Sequence, residues 1–357
     1  MTVTSNETVF ITGFPGFIAG RLIERLARDG RNFLLLVQPE LVAKARTDLA
    51  RIASSAEVPS ERFRILEGDI TDENLALSPH DREMVREEAD VVFHLAAIYD
   101  LAVKQDVAYV VNIDGTHNVN RFLRGMRNLN RYHYVSTCYV AGKRTGVIYE
   151  NELKHDAGFR NYYEQSKHLA ELEVEGLKAE LPITIHRPAV VCGDSKTGET
   201  AKFDGVYYLI NYLLRMPKPV SLFNIGNQMV SLNLVPVDFV VDAMAAIARD
   251  ETAIGETYQI ADPAPLTTQD LFDSIADTIY GRGSRFTFPT KLVELFLRSP
   301  ISPPLTRLPH PAVPYFFLKQ TYDTNRSSAL LAKHGLKCPA FPSYVKNIVD
   351  YAASHAR

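Results

Sequence analysis

An apolar run, Val9 to Thr12, passes directly into Thr12-Gly13-Phe14-Pro15-Gly16-Phe17-Ile18-Ala19-Gly20, and helical periodicity follows from Leu22 to Asp29. A glycine-rich turn that ends one strand and opens a helix leaves few folds open to the chain around it. It is the context required of a dinucleotide-binding turn. Gly13 permits the tight turn and Gly16 lets backbone approach a pyrophosphate, while Ala19 stands where the third glycine serves only close helix–strand packing. The helix amides then face the phosphates. A plain tight turn is the alternative.

The same alternation continues. Phe33–Val37, Phe63–Leu66 and Val91–His94 read as strands two to four, and Val107–Met126 as a long helix leading to a fifth strand at Tyr132–Ser136. A helix around Tyr163 precedes strands at Ile183–His186 and Tyr258–Ile260. Strands alternating with helices imply a parallel sheet covered on both faces. The expected fold class is therefore α/β, a Rossmann-type doubly wound parallel sheet with a smaller C-terminal substrate-binding lobe. After Leu266 the composition shifts, and proline is dense from Pro289 to Pro314, with Ser299-Pro300, Pro303-Pro304, Pro309 and Pro311. Such a stretch is neither a long helix nor a central strand, and it reads as a loop-rich lobe. The expected division is a core of residues 1–190 plus about 230–262, and a lobe of 191–229 and 263–357.

Charge and cysteine usage exclude several functions. A net charge of −3 gives no footprint for nucleic acid. Cys138, Cys192 and Cys338 lie far apart, which suggests neither a disulfide framework nor a zinc cluster, and no metal is expected. The polar start Met1–Asn6 lacks the features of a signal peptide. No apolar run reaches the roughly 18–20 residues of a membrane span. A soluble, cytoplasmic protein is the expectation. The apolar runs Lys291–Leu297 and Tyr315–Leu318 read as core of the C-terminal lobe. A lid over a lipid-like acyl chain, or contact with a membrane surface, is the alternative.

At the end of the second strand, where an acid would bond the adenosine ribose and an arginine would accept a 2′-phosphate, stands Gln38. Arg21, Lys44 and Arg46 are nearby sources of charge, and the balance favours NADP(H) over NAD(H). Gly68-Asp69-Ile70 and His94-Leu95-Ala96-Ala97 follow the third and fourth strands, where adenine and ribose would rest. His94 reads as a strand-end histidine satisfied by backbone bonds. Ser136-Thr137 end the fifth strand and so face the same crevice. Tyr163 and Lys167, four apart on a helix, share a face. An ammonium beside a phenol lowers its pKa towards the range useful for proton transfer. Individually each is an ordinary surface or strand-end feature; in this order they form a proton-transfer set. His155 and His168 read as surface positions and Cys138 as a packed thiol.

In these motifs the chain resembles the extended short-chain dehydrogenase/reductases from about Thr8 to Pro263. They include Asn112-Ile113-Asp114-Gly115-Thr116, Arg187-Pro188 and Val235-Pro236-Val237-Asp238 as well as those above. Finer features resemble the thioester-reductase and fatty-acyl-reductase branch: Tyr139-Val140-Ala141-Gly142-Lys143-Arg144 with Glu150, Phe159-Arg160-Asn161-Tyr162 before Tyr163, and Gly193-Asp194-Ser195-Lys196-Thr197-Gly198. Members of that branch usually carry arginine where this chain has Gln38. Many are fused to adenylation or carrier domains, which nothing here is long enough to be.

The resemblance implies Tyr163 as acid/base and Lys167 on the nicotinamide ribose, depressing the phenol pKa. It places Thr137, with Ser136 as neighbour, on the substrate oxygen, and Asn112 fixing the helix or a relay water. It implies cofactor contacts from Thr12, Gly13, Phe14, Pro15, Gly16, Phe17, Ile18, Gln38, Asp69, Ile70, Leu95, Ala96, Ala97, Tyr163, Lys167, Pro188 and Val190. The implied activity is NAD(P)H-dependent reduction of a carbonyl or acyl thioester, the substrate a small or acyl-thioester molecule of apolar character. Alternatives are a ketone or hydroxysteroid-type alcohol dehydrogenase, a sugar-nucleotide epimerase or dehydratase using Arg215 and Lys218, and a non-catalytic dinucleotide sensor. The helices Val107–Met126 and Tyr162–Glu180 are those that would pair in a homodimer.

Overall fold

Seven short runs rich in Val, Ile, Leu, Phe and Tyr set the architecture, six of them buried almost throughout and the edge run Phe63–Glu67 only in part. Strands buried on both faces need no polar alternation, which is the pattern of a parallel sheet covered by helices. The computed structural model describes residues 7–215, 223–300, 302–303 and 308–355. Met1–Asn6, Lys218 and Pro304 lie outside the described residues.

The sheet order is Thr257–Ile260, Ile183–Pro188, Arg131–Val135, Val91–His94, Thr8–Thr12, Asn32–Val37, Phe63–Glu67. The five registered pairings from Ile183–Pro188 to Phe63–Glu67 are all parallel. The order of strand addition reverses between Thr8–Thr12 and Val91–His94, so the crevice beyond Thr12 and His94 is the switch point where such sheets bind ligands. One face packs Phe10, Leu36, Val92, Phe122, Tyr132 and Ile185 into a single cluster.

The chain divides into two compact units. The first comprises Met1–Lys143, Asn151–Arg187 and Val241–Gln259. Its first helix is Phe17–Ala27, five residues earlier than the periodicity indicated, because Gly16 in extended conformation already serves as its N-cap. Two charged helices, Val42–Ala56 and Pro79–Glu88, escaped the periodicity reading. The second carried a legible signal: Ser78 caps it by accepting from the Asp81 amide (3.1 Å), with Pro79 at its first position. The long helix expected at Val107–Met126 is Gln105–Ala108, a π-helical stretch Tyr109–Asp114, and Gly115–Leu123. The helix bearing Tyr163 runs Tyr162–Gly176, capped by Asn161 through the Glu164 amide (3.0 Å).

The second unit comprises Arg144–Glu150, Pro188–Val240 and Ile260–Arg357. It takes Arg144–Glu150 from the expected core because Gly146–Ile148 pairs with Gln320–Tyr322. It takes the stretch before Val241 because Leu234–Pro236 pairs with Val190–Cys192. Helices Val206–Arg215, Thr268–Tyr280 and Val345–His355 pack around Tyr207, Phe272 and Ile348. The proline-dense stretch holds a short helix, Thr290–Leu297, and a 3-10 segment, His310–Phe317. An open apolar pocket is lined by Tyr208, Tyr212, Phe272, Leu297, Leu308 and Phe316, among others. No helix among the described residues is long and apolar enough to cross a membrane.

Candidate active site

The glycine turn is built for close approach. Gly13 has φ +91°, and a Cβ there would lie 2.6 Å from the Ala96 amide nitrogen, so the turn packs backbone-to-backbone on the loop after the fourth strand. A Cβ on Gly16 would lie 2.6 Å from the Gly13 carbonyl oxygen. Phe14 is buried, whereas Gly16 is exposed and Pro15, Phe17 and Ile18 are half-buried. The helix these residues open has no side-chain cap and no acid in its first turn. An uncapped helix start with positive dipole and free of carboxylates fits a pyrophosphate. The dinucleotide therefore fits the residues present.

Along the same edge Gln38 donates to Asp69 (2.7 Å), whose other oxygen accepts from the Thr71 amide and hydroxyl (2.8 Å each). Burial alone would raise the Asp69 pKa, but these bonds hold it below the usual carboxylate value. Lys44 donates to the Pro15 carbonyl (2.8 Å) and to Asp48 (2.7 Å). Ile70 is buried and packs on Gly115, and its carbonyl accepts from Asn118 (2.9 Å). Leu95 and Ala96 are half-buried and Ala97 exposed. Pro188 ends a sheet strand and Val190 opens the pair with Leu234–Pro236, and both belong to the second unit.

At the chemical end Tyr163 is buried, its phenol beside the Thr137 side chain. Tyr99 meets its ring edge-on at 5.2 Å, and Val103, Ala108 and Tyr139 pack beside it. Thr137 is held in place because its Oγ1 accepts the Tyr139 amide (3.2 Å), capping the turn Cys138–Ala141. That turn is gripped from outside: the Val140 carbonyl bonds the rings of His155 (2.9 Å) and His168 (3.1 Å). His168 is therefore a buried support rather than the surface residue expected, and Cys138 is packed, with its thiol on the Arg187 carbonyl (3.1 Å).

Lys167 departs from expectation. Its Nζ donates to Tyr134 Oη (2.8 Å) and the Val135 carbonyl (3.0 Å), and it lies 4.4 Å from the Tyr134 ring centroid. Burial pushes the Lys167 amine down to about 7, against the pull of Glu171. Burial raises the Tyr163 phenol well above its ordinary value, and neighbouring Thr137 offsets only part of this. The expected depression of the phenol by Lys167 is thus not what the geometry gives: the ammonium is committed to the fifth strand. Tyr163 is a protonated donor over the whole neutral range.

Ser136 also faces elsewhere, donating to Glu171 rather than joining Thr137 beside the phenol. Glu171 is fully buried and accepts from Arg187 Nη2 (2.5 Å) and Nε (2.8 Å). Asn112 sits in the π-helical stretch, a local widening common at functional sites. Its amide donates to Ser166 (2.9 Å) and its oxygen accepts from the Ile98 amide (2.9 Å). Asn112 thus ties the loop after the fourth strand to the helix of Tyr163.

A second network was not foreseen. His94 is bonded by two threonines rather than by backbone: Thr12 Oγ1 at Nδ1 (2.7 Å) and Thr116 Oγ1 at Nε2 (3.1 Å). Thr116 commits its proton to the Asn112 carbonyl (2.7 Å), so Nε2–H must donate and Nδ1 must accept. Burial, then Lys167, pushes the His94 pKa down to about 3, so the ring is neutral. Thr116 lies beside Tyr134, which holds Lys167. The chain Thr12–His94–Thr116–Tyr134–Lys167 therefore joins the glycine turn to the lysine through buried side chains. Among the described residues no group of three His, Cys, Asp or Glu side chains could hold a metal ion.

A family model described as male sterility protein matches residues 11–244, and the chain belongs to that NAD-binding family. Among curated relatives, a glycine betaine reductase of Emericella nidulans is 26% identical over 291 residues, covering 77% of this chain and 22% of the relative. The fatty acyl-CoA reductase wat of Drosophila melanogaster is 26% identical over 285 residues, covering 69% of this chain and 54% of the relative. The chain thus spans about half or less of these relatives' length. The terminal R domain from the myxalamid PKS-NRPS biosynthetic pathway superposes with TM-score 0.82 at 24% identity, covering 98% of this chain and 90% of that one. The family match and the shared fold bear out the extended short-chain dehydrogenase/reductase type.

Proposed function

We propose that this chain is an NADP(H)-dependent reductase of a carbonyl or acyl thioester with an apolar acyl part, giving an aldehyde or alcohol. The observation that carries the proposal is the buried Tyr163 phenol beside the Thr137 side chain, on a Rossmann scaffold whose glycine turn suits a dinucleotide. Thr12–Ile18, Leu95–Ala97 and Lys167 would hold the dinucleotide, which would supply the hydride. Thr137 and Tyr163 donate to the substrate oxygen, which stabilises the negative charge that develops on it. Tyr163 Oη then gives that oxygen its proton. Lys167, with its amine near 7, changes charge easily and is placed to adjust its bonds to a ribose and to Tyr134.

The names of two relatives, a fatty acyl-CoA reductase and a glycine betaine reductase, support reduction of acyl-type substrates. The apolar cavity of the second unit supports an aliphatic rather than a sugar substrate. NADP(H) is supported by uncharged Gln38, which also occupies the Asp69 carboxylate, and by Lys44 beside the turn. Exposed Val107, Val110, Tyr162 and Leu169 support pairing of two copies through these helices. Cofactor oxidation with NADPH and NADH, measured against a long-chain acyl-CoA, its aldehyde and a ketone, tests the reading. Consumption with the acyl-CoA or aldehyde and a preference for NADPH are expected; activity on the ketone alone would favour the alcohol-dehydrogenase alternative, and activity on none would refute the reading.

A further inference from the structure

The apolar run Lys291–Leu297 is only half core. Val293 and Leu297 turn inward, while Leu292, Leu295 and Phe296, at helical spacings that share one face, point outward, with Leu295 70% exposed. Immediately before this helix, Phe286 and Phe288 are exposed and stack with exposed Phe223 at 5.5 and 5.2 Å. Folding thus leaves six large apolar side chains of one unit uncovered, four of them aromatic. Contiguous exposed apolar surface marks an interaction site.

The surrounding charge narrows the partner. From Arg282 to Arg298 the chain carries Arg282, Arg285, Lys291 and Arg298, all exposed, against one acid, Glu294. Glu294 pairs with Arg298 (2.6 Å), and among the described residues Arg282, Arg285 and Lys291 form no ion pair. This local excess of cations stands in a chain whose net charge is −3. Phe and Leu on an outward helix face, flanked by unpaired cations, is the composition of an element lying in a bilayer interface. We propose that Phe223 and the segment Arg282–Arg298 form a docking surface for an anionic lipid bilayer. The aromatic and leucine side chains enter the headgroup boundary, and the cations meet lipid phosphates.

Co-sedimentation of the full chain with vesicles tests this. The chain is expected to pellet with equal parts phosphatidylcholine and phosphatidylglycerol, much less with phosphatidylcholine alone, and less at high salt. Leu295→Asp with Phe296→Asp should lower the partition at least about tenfold, since both apolar anchors then carry charge. Arg285→Ala with Lys291→Ala, which touches no core residue, should lower it about twenty-five-fold, roughly fivefold per cation. Wild-type protein left in the supernatant with both vesicles overturns the proposal, as does an aspartate variant that folds and still pellets. A dimer in free solution that the aspartate variant splits, with no vesicle binding by either, would assign the face to a second copy instead.

Discussion

The two units use buried polar groups in different ways. In the first, side chain bonds to side chain across elements distant in sequence: Thr12 to His94, Asn112 to Ser166, Ser136 to Glu171, and Glu171 to Arg187. In the second, the buried polar groups Glu150, Asp194 and Asn233 fasten loops by their backbone, near or far in sequence. Glu150 accepts the Arg326 and Ser327 amides, Asp194 the Lys196 and Thr197 amides, and Asn233 exchanges bonds with the backbone of Asp262. Its interior is otherwise aromatic and aliphatic. Satisfied side-chain networks hold rotamers in one geometry, as proton transfer requires. An apolar interior with anchored loops sets shape rather than the position of a reacting atom.

Breaking the first unit's network should therefore be costly. Glu171→Gln takes from buried Arg187 the carboxylate oxygen that accepts its Nε and Nη2, so about 3–5 kcal/mol of stability should be lost in denaturant titration. A loss under about 1 kcal/mol would mean that the network is not the first unit's scaffold.

Lys167 sharpens the contrast through pH. Its amine is pushed from 10.5 to about 7 by burial, so between these values the unfolded chain binds a proton that the folded chain does not. Stability should then rise with pH across that window. Below about pH 7 both states are protonated, and the cost of the buried charge is present in full. Comparing wild type with Lys167→Met by urea midpoints from pH 6 to pH 10 isolates the term; parallel curves would show that the amine is not buried as described. A smaller effect is expected at Tyr134→Phe, which removes one bond from Lys167. About a tenfold fall in kcat/KM, with stability changed by about 1 kcal/mol, is the expectation.

The sheet was legible because each strand is a short apolar run ended by a chemically marked loop, as at Val9–Thr12 and Arg131–Thr137. Periodicity missed Val42–Ala56, whose surface mixes charged residues with Ala, Ser and Thr, and Pro79–Glu88, whose surface is mostly charged; few residues of either are buried. The π-helical stretch around Asn112 was hidden because it interrupts an otherwise regular pattern by hydrogen bonding alone. Four-residue spacing put Tyr163 and Lys167 on one helix but said nothing about Tyr134, which lies on a strand some thirty residues earlier and captures the ammonium. Burial, a property of the packed chain, reversed the expected direction of the phenol's shift. The second unit was least legible, since its strands are two or three residues long and find partners far away, Gly146–Ile148 with Gln320–Tyr322.

The central claim is that Tyr163 delivers a proton and does not hold the cofactor. Tyr163→Phe keeps the ring against Tyr99 and Val103 and removes only the hydroxyl. Cofactor affinity by fluorescence titration and turnover, measured on the same preparation, separate the two roles. A fall in kcat of about 10²–10⁴-fold with cofactor Kd nearly unchanged is the predicted result. Turnover within a few-fold of wild type would contradict the account.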